Sequence, residues 1–318
     1  MIKLSLCITI LAILSLAAGL RAQEETPATT APKPEFKAPE GMELIKDIAY
    51  SPDGNVKHKL DILRLKRQPK EPMPVLVWIH GGGFTGGSKT DGRARLVRFV
   101  KRGYLGVTID YRYAYEAVFP AQLQDCKCAI RFLRAHAKEY NLDPDHIGVW
   151  GGSAGGNLVS MLGVTGGIKE FEGDGGWAKE SSRVQAVVDY YGMTDFLAIY
   201  ELAKAGKSTA RFLPLDGKES ISHLLGVSKY FEHPELCRKA SPTTYASKDD
   251  APFYIFHGDL DPLTMASQGE LLNKVLRKAG VESDFYLVKG GKHGWPARPD
   301  VDEKVDKFLD KHLRPKGK

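Results

Sequence analysis

Three residues, far apart along the chain, have the right types and order for nucleophilic acyl transfer. Ser153 lies in Gly151-Gly152-Ser153-Ala154-Gly155, Asp261 in the stretch HGDLDP and His293 in GGKHGW. A serine hydroxyl is a weak nucleophile until a base takes its proton, and the base needs an acid to orient it and to stabilise its charged form. The chain order serine, aspartate, histidine is the one that accompanies a G-x-S-x-G turn between a strand and a helix. In that turn the serine sits at a sharp, strained elbow, and glycines on either side let the two arms approach closely. Asp259 lies two residues before Asp261 and is the competing acid. Asp261 is the preferred one, with Asp259 read as a turn carboxylate and His257 as structural.

The same chemistry needs donors for the negative charge of a tetrahedral intermediate. Preorganised backbone N–H groups serve this purpose, and losing one costs on the order of 3 kcal/mol. The expected donors are Gly82 and Gly83, in the loop His80-Gly81-Gly82-Gly83, and Ala154, the residue after the serine. The helix behind Ser153 adds its positive end. His80 is expected to brace the loop rather than to move a proton.

These residues must be positioned by a framework, and the hydrophobic pattern supplies one. Strands are expected at 43–50, 57–65, 74–79, 105–110, 146–150, 184–190, 252–256 and 284–288. Helices are expected at 92–102, 120–140, from 157, at 265–279 and at 300–312. The run PVLVWI at 74–79 is continuously apolar, as in a strand covered on both faces. Strands alternating with helices predict a mostly parallel sheet with helices on both faces. The turn Ser51-Pro52-Asp53-Gly54 makes the first two strands a hairpin, so that edge should be antiparallel. In the second strand the alternation of Leu60 and Ile62 continues out of phase at Leu63 and Leu65, which predicts a bulge there. Residues 192–247 carry no strand pattern and read as a helical insertion covering the site. Each of the three candidate residues follows a strand, where ligand-facing groups of open α/β sheets gather.

Composition is that of a globular protein: 42% hydrophobic, 26% charged, net charge +6 over 318 residues. Charges of both signs are interspersed, so nothing points to a nucleic-acid partner. Residues 1–22 read as a secretory signal peptide, with an apolar run at 4–20 behind Lys3, which predicts a secreted or periplasmic protein with no membrane segment in its mature form. Residues 23–41, rich in Pro, Thr and Ala, read as an extended tether, 42–313 as one catalytic domain and 314–318 as a basic tail. Three cysteines remain after the signal, Cys126, Cys128 and Cys237, and are expected to be buried thiols rather than a disulfide framework. No spacing suggests a metal site.

Two glycine motifs compete with the hydrolytic reading. Gly81-x-Gly83-x-x-Gly86, with Asp110 ending the next strand, satisfies a dinucleotide fingerprint, but it is displaced from the first βα turn and leaves the elbow, Asp261 and His293 unexplained. Ser88-Lys89-Thr90 resembles a P-loop with serine where the lysine belongs. A binding protein on a hydrolase frame is the non-enzymatic alternative; such proteins usually lose a member of the serine–histidine–aspartate set, and none is missing here.

Taken together, HGGGF at 80–84, Asp110-Tyr111-Arg112, the 151–155 elbow, HGDLDP and KGGKHGW resemble the α/β-hydrolase esterases. Within them, the stretch from Phe119 to Leu158 is most similar to the branch of bacterial acetylxylan and feruloyl esterases and hormone-sensitive-lipase-type carboxylesterases. The resemblance covers about residues 42–313. It implies an ester substrate, with acetylated or feruloylated polysaccharide the expected one and a short-chain carboxylesterase or lipase-like enzyme as the alternative, and no cofactor or metal. Tyr113-Ala114-Tyr115-Glu116 departs from the leucine and proline of many lipase-type relatives. The aromatics Phe84, Tyr111, Trp177 and Trp295 are candidates for lining a sugar-sized cleft, or simply for the core.

Overall fold

A computed structural model describes residues 35–205 and 220–314. Eight strands form one sheet: β1 (Met42–Ala49), β2 (Lys59–Leu65), β3 (Met73–Ile79), β4 (Leu105–Ile109), β5 (Leu142–Gly152), β6 (Ala186–Tyr190), β7 (Phe253–Gly258) and β8 (Ser283–Val288). Their order is β1-β2-β4-β3-β5-β6-β7-β8, with β2 antiparallel to both its neighbours and every later pair parallel. This is the α/β-hydrolase architecture expected from the sequence.

The helices are α1 (Thr90–Lys101), α2 (Ala121–Ala135), α3 (Ala137–Tyr140), α4 (Ala154–Val164), α5 (Phe196–Lys204), α6 (Ser220–Leu225), α7 (Pro234–Lys239), α8 (Ala266–Ala279) and α9 (Pro299–Leu313). The sheet separates two cores. On one face α2, α4 and α8 bury Leu123, Ile130, Leu158 and Leu272 against Val75, Val77, Val149 and Ile255. On the other, α1 and α9 bury Leu96, Phe99, Val305 and Leu309 against Trp78, Trp150 and Phe256. Two-sided burial is why the central strands read as unbroken apolar runs.

Several boundaries moved for physical reasons. Helix α1 begins at Thr90, before the expected Gly92, and Gly92 lies inside it as a packing position: a Cβ there would lie 2.3 Å from the Trp78 ring and 2.5 Å from the Thr108 hydroxyl. The helix expected at 120–140 breaks at His136 into α2 and α3, and Asn141, at φ 52°, ends it. The insertion at 192–247 holds α5, α6, α7 and short 3₁₀ turns, with no strand among its described residues; residues 206–219 lie outside them. Phe36 and Ala38, placed in the tether, already pack on the second core. Residues 23–34 of that segment, the signal peptide and residues 315–318 lie outside the described residues. No helix among the described residues is long and apolar enough to cross a membrane. Cys126, Cys128 and Cys237 are free and buried, and burial raises the last two thiols to about 11 and about 12.

The predicted bulge lies in β1, not β2. Pairing slips between Ile45 and Ile48, where Asp47 takes φ 60° and its N–H donates to Asp61 Oδ1 at 2.9 Å. The phase change in β2 has another cause. Leu60 and Ile62 face the first core, Leu63 faces the second, and Asp61 is fully buried. Its carboxylate receives Arg93 at 2.6 Å and Lys89 at 3.0 Å.

A second buried carboxylate stands behind the elbow. Asp189 of β6 is fully enclosed and accepts from Ser160 Oγ at 3.1 Å and the Gly192 N–H at 2.9 Å. Burial outweighs these bonds and raises its pKa to about 7. A carboxyl raised above its unfolded value stabilises the fold below that unfolded value, about 3.9, and the stabilisation is lost as pH rises through the folded value. Asp189→Asn should therefore flatten the dependence of melting temperature on pH between about 5 and 8. At the upper end the variant should melt no lower than the wild type; a wild-type slope retained in the variant would refute this assignment.

Candidate active site

Strand β5 delivers Ser153 and α4 leaves immediately behind it. Ser153 has φ 58° and ψ −121°, a conformation that costs a non-glycine residue about 1–3 kcal/mol. Neighbouring backbone holds it there: Ser153 N–H donates to Tyr190 O at 2.9 Å, and its carbonyl accepts from Asn157 N–H at 3.0 Å. The turn closes only with glycines. A Cβ at Gly151 would lie 2.4 Å from Gly155 O, and one at Gly155 would lie 2.2 Å from Ile79 O. Asn157 ties α4 to the insertion through Met193 O at 2.8 Å and Ala240 O at 3.2 Å.

His293, in the loop after β8, places Nε2 2.9 Å from Ser153 Oγ and Nδ1 2.8 Å from Asp261 Oδ2. The three side chains thus form one hydrogen-bonded line. Asp259 turns away: it accepts from the Gly290 N–H at 2.7 Å and stands 3.5 Å from Lys289 Nζ, fastening the loop.

Asp261 is the meeting point of more groups than the sequence revealed. Oδ1 accepts from the N–H groups of Leu263, at 2.8 Å, and Thr264, at 3.2 Å. Oδ2 accepts from Thr264 Oγ1 at 3.0 Å and lies 3.2 Å from His257 Nε2. Burial alone would raise this carboxyl, but hydrogen bonds from His257 and His293 overcome it and hold Asp261 far below the usual carboxylate range. His257, read from sequence as structural, is therefore a second imidazole on the same oxygen. Burial lowers its pKa, so it is neutral near pH 7. A carboxylate can only accept, so His257 carries its proton on Nε2. Its Nδ1 is then a buried acceptor with no partner among the described residues. The sequence signal was present in HGDLDP, where the histidine four residues before the acid ends the same strand, but spacing alone does not say which way a ring points.

The glycine loop after β3 packs directly on the elbow. A Cβ at Gly81 would lie 2.7 Å from Gly152 O and 3.2 Å from Ser153 Cβ. Gly82 and Gly83 adopt φ 112° and 59°, and the Gly82 carbonyl accepts from Thr85 and Gly86. Among the described residues, nothing accepts the N–H groups of Gly82, Gly83 or Ala154. Ala154, first in α4, has no intrahelical partner in any case. His80 is buried, donates from Nδ1 to Gly81 O at 2.8 Å and stacks on Tyr111 at 4.3 Å. Burial lowers its pKa, which keeps it neutral. These contacts make it a brace. The insertion reaches the same loop: a Cβ at Gly83 would stand 3.3 Å from Ser220 Cβ, at the start of α6.

The candidate cleft aromatics separate. Phe84 and Tyr111 are fully buried core residues. Trp177 donates to Tyr50 O at 2.9 Å and packs on Phe132 and His136, away from the elbow. Trp295 alone lines a cavity, next to His293.

The BD-FAE family model matches residues 60–276. Esterase LipQ of Mycobacterium tuberculosis is 30% identical over 249 residues, which is 78% of this chain and 56% of LipQ. The chain spans about half the length of the curated relatives it matches. A truncated carbohydrate esterase from gut microbiota superposes with TM-score 0.76 at 30% identity, covering 85% of this chain and 96% of that one. Esterase Est2 of Thermogutta terrifontis, with propionate bound, superposes with TM-score 0.65 at 26% identity, covering 87% and 97%.

The geometry makes a direct chemical prediction. A fluorophosphonate probe should label Ser153 once per chain and leave Ser153→Ala unlabelled, read by intact mass. Asp261→Asn should slow labelling by about 10³–10⁴-fold, whereas Asp259→Asn should slow it only a few-fold. Equal effects of the two substitutions would contradict the placement of the acid.

Proposed function

The chain belongs to the BD-FAE family of α/β-hydrolase esterases, and on that premise we propose that it hydrolyses carboxylic esters through an acyl-enzyme on Ser153. Ser153 Oγ attacks the ester carbonyl as His293 Nε2 takes its proton. Asp261 holds the ring in the tautomer that presents Nε2 to the serine, and its charge stabilises the imidazolium. The developing oxyanion lies against the N–H groups of Gly82, Gly83 and Ala154, which change neither position nor solvation when the charge forms. The alcohol leaves with the proton from His293. Water, deprotonated by the same ring, then releases the acid. The observation that carries this reading is the line of hydrogen bonds from Ser153 through His293 to Asp261, at 2.9 and 2.8 Å.

The substrate we propose is an acetyl or feruloyl ester on plant polysaccharide, met outside the cytoplasm after export directed by residues 1–22. It is supported by the carbohydrate-esterase neighbour. The apolar run at 4–20 supports export. The second reading, a general short-chain carboxylesterase, draws on the propionate-bound Est2.

Hydrolysis of acetylated xylan, methyl ferulate and 4-nitrophenyl esters of increasing chain length separates the two. Release of acetate or ferulate from polymer, with kcat/KM above that for small nitrophenyl esters, is expected. Activity confined to small esters would favour the second reading. Ser153→Ala should lower kcat by about 10⁴-fold or more, and wild-type turnover in that variant would overturn both.

A further inference from the structure

A cavity of about 420 Å³ opens on the α1 and α9 side of the sheet, beneath the loop that carries His293. Ser153 is not part of it. Its walls include Arg95 of α1, Trp150, Tyr191, His293, Trp295 and Arg298. Of these walls the reaction proposed above uses His293 alone.

Two features of this cavity ask for a ligand. The first is charge. Three guanidinium groups line it, those of Arg95, Arg98 and Arg298, against one carboxylate, Asp302. Arg98 is committed to Asp306 at 2.6 Å and Arg298 to Asp300 at 3.0 Å. Arg95 has no carboxylate partner among the described residues; its guanidinium carbon sits 4.8 Å over the Trp78 ring. An uncommitted guanidinium at the edge of a concave surface selects an anion, and its planar fork matches a carboxylate.

The second feature is the wall. The Trp150 side chain is buried, and its indole N–H meets no acceptor among the described residues. Buried donors are nearly always satisfied, so an orphan beside a cavity marks a place for an acceptor. The rings around it stand edge-on to one another: Trp150 to Tyr190 at 78° and Tyr191 to Trp295 at 85°. Such walls offer both faces and edges to another flat ring. Tyr191 is held at φ 45°, strained for a tyrosine.

We propose that this cavity is a second ligand site, that it takes an arylcarboxylate with the carboxylate on Arg95 and the ring against Trp295 and Tyr191, and that its occupancy slows catalysis. The link to catalysis is geometric. The Tyr191 and His293 rings are 4.7 Å apart, and the Tyr191 hydroxyl is 3.0 Å from where a Cβ would stand at Gly152, next to Ser153. A ligand pressed against Tyr191 and His293 bears on the base without entering the space in front of the serine. Only this link to catalysis rests on the ester-hydrolase reading; the binding site stands apart from it.

Benzoate is the probe, titrated into the full chain carrying Ser153→Ala and followed by tryptophan fluorescence. Saturable binding in the millimolar range or tighter is expected, weakened about tenfold or more by Arg95→Gln, a substitution at an exposed helical position whose folding is checked by its melting temperature. Glucuronate, a carboxylate without an aromatic ring, and benzyl alcohol, a ring without a carboxylate, should both bind more weakly than benzoate. In the active enzyme, benzoate should lower kcat on 4-nitrophenyl acetate with KM unchanged, and Arg95→Gln should relieve the inhibition. No saturable binding, equal binding to the Arg95 variant, or tighter binding of glucuronate would overturn the site. A rise in KM alone, with kcat unchanged, would place benzoate in front of the serine and overturn the separate cavity. If Ser153 proves not to support ester hydrolysis, the fluorescence titration still decides the binding site.

Discussion

The fold depends on how closely three pieces of backbone can approach one another around Ser153. The elbow, the glycine loop after β3 and the start of α4 meet where Gly81, Gly151 and Gly155 leave no room for a Cβ. That closeness holds a serine in a left-handed conformation it would not choose, and nearby the amides of Gly82, Gly83 and Ala154 have no acceptor among the described residues. The strain and the unpaired donors are two consequences of one constraint. The two cores on either side of the sheet supply the stability that keeps the turn from relaxing.

Around this turn, buried polar groups do the positioning. Asp261 gathers five donors from four residues and so remains charged despite its burial. His80 is fixed by Gly81 O and by stacking on Tyr111, while Asp61 anchors α1 to the antiparallel edge through Arg93 and Lys89. Asp189 is the exception, buried with only neutral donors, and its carboxyl is pushed up accordingly. The difference follows from partners: opposing charge or several N–H bonds stabilise an ionised carboxylate, and burial without them does not.

Much of this was legible in the sequence. The order and type of the strands followed from apolar runs, and the elbow, Asp261 and His293 from their placement after strands. What escaped has a common cause. Asp61 looked like the polar half of an alternating strand, because alternation records which side a residue faces and not whether a cation waits there. The bulge expected in β2 lies in β1 for the same reason: β1 is drawn toward the buried Asp61 carboxylate. His257 was visible as a residue but not as a partner of Asp261, since a four-residue spacing across a strand end and a loop does not define ring orientation. Phe84 and Tyr111 have cleft-forming chemistry and core positions, and only burial tells the two apart.

The contact between Gly83 and Ser220 joins two parts of the protein that could otherwise change independently. Substrate range in such a scaffold is free to drift through its covering insertion as long as the machinery beneath is untouched. Here the first residue of α6 leans on the cradle itself, so remodelling that begins as an adjustment of fit arrives as an adjustment of rate. On the ester-hydrolase reading proposed above, variants selected for bulkier alcohols at this edge should lose turnover even on the smallest esters, a coupling that narrows the routes by which the chain can acquire new specificities.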